Sequence, residues 1–167
     1  MNLRHPSNTR AAIRGAQLAV AVALAFAGLA RAGECPAGQA ADNPLANAPG
    51  APVGVVDTEL AAVDLSAENV KLAQRRLRLR HMTIAPGGIV PLHSHEDRPA
   101  LIQVVSGEIY EHSSKCAVAI LHKAGDVARE HLGTRHWWKN SGTRPVELTI
   151  GDIVNDRKPE TMMDKMM

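Results

Sequence analysis

Between Arg75 and Val154 the chain is divided into short segments by glycine-bearing pairs: Gly87-Gly88, Ser106-Gly107, Ala124-Gly125, Leu132-Gly133 and Ser141-Gly142. No segment between them has the period of an amphipathic helix. The first shows period-two alternation, Leu77, Leu79, His81 and Thr83 against Arg76, Arg78, Arg80 and Met82. Pro86-Gly87-Gly88 follows as a turn, since proline presets φ and glycine accepts positive φ. Further strands are expected at Ile89–His95, Ala100–Val105, Glu108–His112, Ala117–Lys123, Asp126–Glu130, Arg135–Asn140 and Pro145–Val154. Many short strands at this spacing predict an all-β sandwich or barrel.

Upstream the chain changes character. The first 32 residues carry Arg4, Arg10, Arg14 and Arg31 and no acidic residue. Between these lies Leu18 to Ala30, an uncharged run of thirteen residues ending in Ala30-Arg31-Ala32. A basic start, a short apolar stretch and an A-x-A site together describe a secretory signal peptide, with cleavage expected after Ala32. As a helix the apolar run spans roughly 20 Å, short of the ~30 Å hydrocarbon core. The expected location is periplasmic or secreted, with no membrane association after cleavage.

Removing the leader changes the charge. It takes four of the nineteen basic residues, leaving fifteen against seventeen acidic ones, so the net +2 of the whole chain becomes −2. A nucleic-acid partner therefore has little electrostatic support. The Arg75, Arg76, Arg78 and Arg80 cluster, alternating with leucine, reads as the solvated face of a strand.

Export also gives meaning to the two cysteines. Cys35 and Cys116 are the only pair in the chain, and an even count in an oxidising compartment predicts a disulfide. Residues 33–69 read as an N-terminal arm, extended and rich in Ala, Gly, Pro and Asn up to about Pro52. A short strand is expected at Val53–Val56 and a single helical turn near Ser66–Val70. Residues 70–156 form the barrel. Residues 157–167, with four of the six methionines, read as a flexible tail.

Eight histidines are present, and three carry the chemistry. His93 and His95 sit two apart on an expected strand, so their side chains leave the same face. Two imidazoles converging from a rigid strand make half a site for a first-row transition metal. His136, at the start of a later strand beside Trp137 and Trp138, is the candidate third ligand. His81, His112, His122 and His131 read as surface or hydrogen-bonded structural histidines.

The surrounding spacing is Gly87-x5-His93-x-His95-x11-Gly107, then Gly125-x5-His131-x-Gly133-x2-His136-x3-Asn140. It closely resembles the two motifs of the cupin superfamily, G-x5-H-x-H-x(3,4)-E-x6-G and G-x5-P-x-G-x2-H-x3-N. More narrowly, the chain is similar to small exported bacterial single-domain cupins of type-2 kind. The resemblance implies a double-stranded β-helix (jelly-roll) barrel holding one divalent transition metal on His93, His95 and His136. Two positions depart from the pattern. The family's glutamate falls on Ala100, which cannot bind metal, and the second motif's proline is His131. Gln103 lies three positions from Ala100 and should face outward, whereas one of Glu130 and His131 should look inward. Asn140 corresponds to a structural turn residue.

A three-histidine centre without carboxylate is similar to that of thiol and β-diketone dioxygenases. The resemblance therefore implies Fe(II), with Mn, Zn, Ni and Cu as the alternatives. Three neutral ligands leave the ion its full charge and open positions for O₂ and a small-molecule substrate. Trp138 shares the face of His136 and is a candidate wall of the substrate pocket; Arg98 is a candidate anchor for a substrate carboxylate. Two functions follow: an O₂-dependent oxygenase of a small molecule, or a non-catalytic metal or small-ligand binder of the cell envelope. The resemblance also implies a homodimer.

Overall fold

The computed structural model of the chain describes residues 33–156. The expected signal peptide and Met-rich tail lie outside the described residues. Eight strands follow one another: β1 (Val53–Asp64), β2 (Arg75–Ser94), β3 (Ala100–Ser106), β4 (Glu108–Ser113), β5 (Ile120–Lys123), β6 (Val127–Glu130), β7 (Arg135–Lys139) and β8 (Val146–Asn155). All pairings are antiparallel, in the order β5-β4-β7-β2-β8-β3-β6 with β1 added alongside β2. The result is a nearly closed antiparallel barrel with no helix among the described residues, the all-β class expected from the punctuation.

The largest departure from the expected elements is β2. Pro86-Gly87-Gly88 does not reverse the chain but bends one 20-residue strand. Before the bend, Arg75 to Ile84 pair with Asn155 to Val146 of β8; after it, Ile89 pairs with Lys139 of β7. Gly87 takes φ +74°, and a Cβ at Gly88 would lie 2.7 Å from both the Ala85 carbonyl oxygen and the Ile84 side chain. Only glycine fits there. Asn140 fastens the bend. Its Nδ2 donates to the carbonyls of Ile84 and Ala85 at 3.0 and 3.1 Å, and its backbone exchanges bonds with Gly87 and Gly88. The strand thus passes from pairing with β8 to pairing with β7 and carries His93 to the cavity.

Inward positions alternate along each strand, as in Ala100, Ile102 and Val104 of β3 and Val146, Leu148 and Ile150 of β8. With Met82, Ile84, Val90, Ile109, Ala128 and Trp138 they form one continuous core. Each fully buried aliphatic side chain contributes about 1.5–3 kcal/mol of transfer free energy.

The first half of β2 inverts the expected facing. Leu77 and Leu79 are 46% and 42% exposed, whereas Arg78 and Arg80 are 5% and 4% exposed. Period two fixes which residues share a face but not which face turns inward. Here the inner face at this end of the barrel is polar because carboxylates meet the guanidinium groups. Asp152 pairs directly across from Arg78 and accepts two hydrogen bonds from it, at 3.0 and 2.9 Å. Asp57 of β1 pairs with Arg80. The expected strand at Val53–Val56 continues to Asp64, because the first half of β2 offers it a full-length edge. The helical turn near Ser66–Val70 is absent. Asp64 accepts the Ser66 amide at 2.9 Å and turns the chain back instead.

The segment before β1 is held by a disulfide, by backbone hydrogen bonds between residues 39–43 and 114–117, and by side chains. Cys35 and Cys116 are disulfide-bonded, with Cα atoms 5.7 Å apart. Asn43 donates to the Cys116 carbonyl at 3.0 Å, and Leu45 is buried against the barrel. A disulfide of this kind fits a compartment outside the reducing cytoplasm. Among the described residues no helix is long and apolar enough to cross a membrane.

Candidate metal centre

His93 comes from the end of β2, His95 from just beyond it, and His136 from β7, where it pairs across from His93. Their Nε2 atoms converge: 3.0 Å between His93 and His95, 3.0 Å between His95 and His136, and 2.8 Å between His136 and His93. Two nitrogens bound at ~2.1 Å to neighbouring positions of one ion sit about 3 Å apart, so the spacing suits a single metal. The rest of each ring supports that use. His93 Nδ1 lies 2.9 Å from the Pro91 carbonyl and His95 Nδ1 lies 2.7 Å from the Arg98 carbonyl. Both nitrogens must therefore carry the proton, which leaves the Nε2 lone pairs facing the centre.

His136 has a different environment. Its Nδ1 is 3.1 Å from Glu111 Oε1 and 3.4 Å from Glu130 Oε1, both buried. Trp138 Nε1–H points at the same nitrogen, at 3.0 Å. The ring can accept from the indole or donate to Glu111, not both, and two buried carboxylates favour a proton on Nδ1. Glu111 is held in turn by His122 Nε2, 2.8 Å from its other oxygen.

These surroundings separate the three imidazoles electrostatically. Burial, then the charge of His136, pushes His95 down to about 3. The same two causes, with His95 added, hold His93 well below the ordinary range. Burial acts downward on His136 as well, but the charges of Glu130 and Glu111 outweigh it and lift it to about 9. Glu111 is lowered to about 2: burial opposes its charge, and the hydrogen bonds from His122 and His136 win. Two neutral imidazole donors and one ring backed by carboxylate form a set that fits a divalent transition metal.

Residues 80–151 match the family model of the cupin domain. This stretch of the chain is a cupin domain. Among solved structures, it is similar to a predicted oxalate decarboxylase from Thermotoga maritima, at 22% identity over 65% of this chain and 94% of that one, with a TM-score of 0.49. It is also similar to the cupin domain of an XRE-family transcriptional regulator from Enterobacter cloacae, at 17% identity over 60% and 96% of the two chains, TM-score 0.47. An oxalate oxidase complexed with glycolate is 20% identical over 61% and 55%, TM-score 0.46. No curated protein matches the chain by sequence.

In this cupin the three histidines border a narrow cavity of about 20 Å³ inside the barrel. Trp138 and Arg98 border it too, with Arg80 and apolar side chains from β2, β3 and β8. Gln103 faces outward. Of the neighbours Glu130 and His131, Glu130 turns in and His131 turns out. Ala100, where the motif's glutamate would stand, pairs directly with Glu130 across the β3–β6 ladder. Glu130 nonetheless meets His136 from behind, at Nδ1, rather than at the Nε2 centre. Glu111, Glu130 and His136 make a second cluster with metal-ligand chemistry, sharing His136 with the first. His112 stacks on Trp137 at 3.8 Å, and His122 on Trp138 at 4.6 Å.

Sequence reasoning did not single out Glu111 or Arg80. The signal for Glu111 was present: it lies two residues from the apolar Ile109, hence on the inner face of β4. Arg80 gave no such signal, because a charged alternating face is ordinarily the solvated one.

Proposed function

We propose that this cupin is exported, holds one divalent transition metal on His93, His95 and His136, and uses it in O₂-dependent oxidation of a small molecule. The observation that carries the proposal is the convergence of three Nε2 atoms within 3.0 Å, each ring held from behind at Nδ1. When bound, the metal supplies Lewis acidity and, if it is iron, a one-electron couple. The chain supplies orientation. The Pro91 and Arg98 carbonyls fix two rings, Glu111 fixes the third, and Trp138 with the aliphatic lining keeps bulk water from the centre. Fe(II) is the proposed ion, with Mn, Zn, Ni and Cu as alternatives.

Export rests on the leader and on the formed Cys35–Cys116 disulfide. A homodimer belongs to the same proposal and is supported by the outward-facing Leu77 and Leu79; sedimentation should give twice the monomer mass.

A second reading, a metal or small-ligand binder without turnover, is favoured by the cavity lining. It holds no Asp, Glu, Lys or Tyr that could exchange protons with a substrate. Elemental analysis of protein purified from the export compartment tests the metal. One equivalent is expected in the natural protein and little after His93→Ala or His136→Ala; unchanged content in both variants would sink the site. Oxygen consumption with thiol, diketone and flavonol candidates then separates enzyme from binder.

A further inference from the structure

The three histidines do not make up all the polar lining of the barrel cavity. Arg80 and Arg98 border it as well, and no carboxylate does. The acids that balance these arginines lie elsewhere. Asp57 pairs with Arg80 Nη1, and Asp152 lies 3.3 Å from Arg80 Nη2 and 4.0 Å from Arg98 Nε. Asp152 is also bound twice by Arg78, which lies 3.9 Å from Glu59 at the surface as well. Thus the acids face the cluster, while the cavity side is cationic before any metal is added.

Arg80 also has a donor to spare. It is 4% exposed, and with both terminal nitrogens engaged, its Nε is buried without a hydrogen-bond partner among the described residues. A buried charged N–H left unpaired loses its hydration without compensation. Positions of this kind persist where a ligand supplies the acceptor. The cavity limits what that ligand can be: about 20 Å³ has room for one or two water-sized groups. Its remaining walls, Met82, Ile102, Leu148 and others, are apolar.

We infer that Arg80 forms an anion subsite beside the three histidines, and that its ligand is a compact monoanion. A carboxylate no larger than formate accepts from the guanidinium Nε at one oxygen and faces the histidine centre with the other. Aromatic and long-chain acids do not enter. The metal proposed above provides only the second contact; the Arg80 contact is independent of it.

The test uses the full-length protein loaded with Co(II), with cobalt content fixed by elemental analysis before each titration. Formate is added while the visible Co(II) bands are followed. A saturable spectral change is expected, with benzoate giving none. Arg80→Met should raise the formate dissociation constant at least about tenfold, the loss of one charge-assisted hydrogen bond, at unchanged cobalt content. Arg80→Lys keeps the charge that Asp57 and Asp152 need, so it stays folded, but it lacks Nε–H and should show the same loss in smaller measure. Equal formate affinity in the natural protein and Arg80→Lys overturns the inference, as does benzoate binding as well as formate. Failure to take up cobalt would instead count against the metal proposal. In that case formate should still raise the melting midpoint of the natural protein and not of Arg80→Lys; an equal rise in both, or none in either, overturns the subsite.

Discussion

His136 and Glu111 are joined at 3.1 Å between Nδ1 and Oε1, both completely enclosed by the barrel, with His122 on the far oxygen of the same carboxylate. Glu111 therefore sets which nitrogen of His136 carries the proton, and so which one faces the other two histidines. A neutral amide at this position could serve one histidine but would present N–H to the other. Glu111→Gln should weaken metal binding about 10–100-fold, the usual scale for a residue that orients a ligand. Glu130, at 3.4 Å, should matter less. Chelator competition with zinc in Glu111→Gln and Glu130→Gln, alongside thermal melts to confirm folding, measures this. Wild-type affinity in Glu111→Gln would show that His136 is held by packing alone.

The pH dependence of metal binding follows from how unequally the three rings hold protons. His93 is held well below the ordinary range and His95 at about 3, so both are neutral throughout pH 5–8. His136, raised to about 9, carries a second proton there that the metal must displace. The raised value means the proton competes at any pH below about 9, so affinity rises with pH and levels off above that point. The logarithm of apparent affinity should climb by about one per pH unit between pH 5 and 8. Three ordinary imidazoles would give a flat line above pH 7 and a slope approaching three well below it. Competition titrations at four pH values distinguish the two.

Much of the fold and of the histidine site was legible in the chain because both depend on local spacing. Glycine pairs marked strand ends except at Gly87-Gly88, which bends β2, and His93-x-His95 places two rings on one face whatever the tertiary context. Facing was harder. Arg78 and Arg80 alternate with Leu77 and Leu79, and only the arrival of Asp152 from β8 and Asp57 from β1 decides that the arginines turn in. That information lies about 70 residues away in one case and about 20 in the other, and no periodicity carries it. Glu111 stands between: its inward facing can be counted from Ile109, but its partner His136 is 25 residues away and is found only through the β4–β7 pairing.

Asp152 is the carboxylate on which Arg78, Arg80 and Arg98 depend, and its side chain is wholly buried. Removing its charge strands the guanidinium groups in a medium that solvates them poorly. Asp152→Asn should cost about 3–5 kcal/mol, the range for breaking a buried pair by neutralising one partner. Urea unfolding of the variant gives the figure directly. A loss under about 1 kcal/mol would mean that water reaches the cluster and that the pairs behave as surface ones. Because the groups are buried, raising salt should change the result little.

The last prediction concerns the link between the arm and the barrel. Cys35 and Cys116 close a loop with a sequence separation of 81, and Cys116 is completely buried. Chain-entropy estimates for a loop of this length give about 4–5 kcal/mol, and removal of native disulfides from small domains commonly costs about 2–5 kcal/mol. The Cys35→Ser variant should lose stability in that range. Its arm should loosen first, because without the disulfide it is docked by non-covalent contacts, among them Asn43, buried Leu45, the Ala40–Cys116 bridge and the Glu34–Arg129 ion pair. His93, His95 and His136 all come from β2 and β7 or the residue beyond β2, so one metal per chain should still bind. Thermal melts with and without reductant, followed by elemental analysis, test both halves. A melting midpoint unaffected by reductant would show that the arm's packing, not the disulfide, holds it in place; loss of metal would show that the arm supports the centre itself.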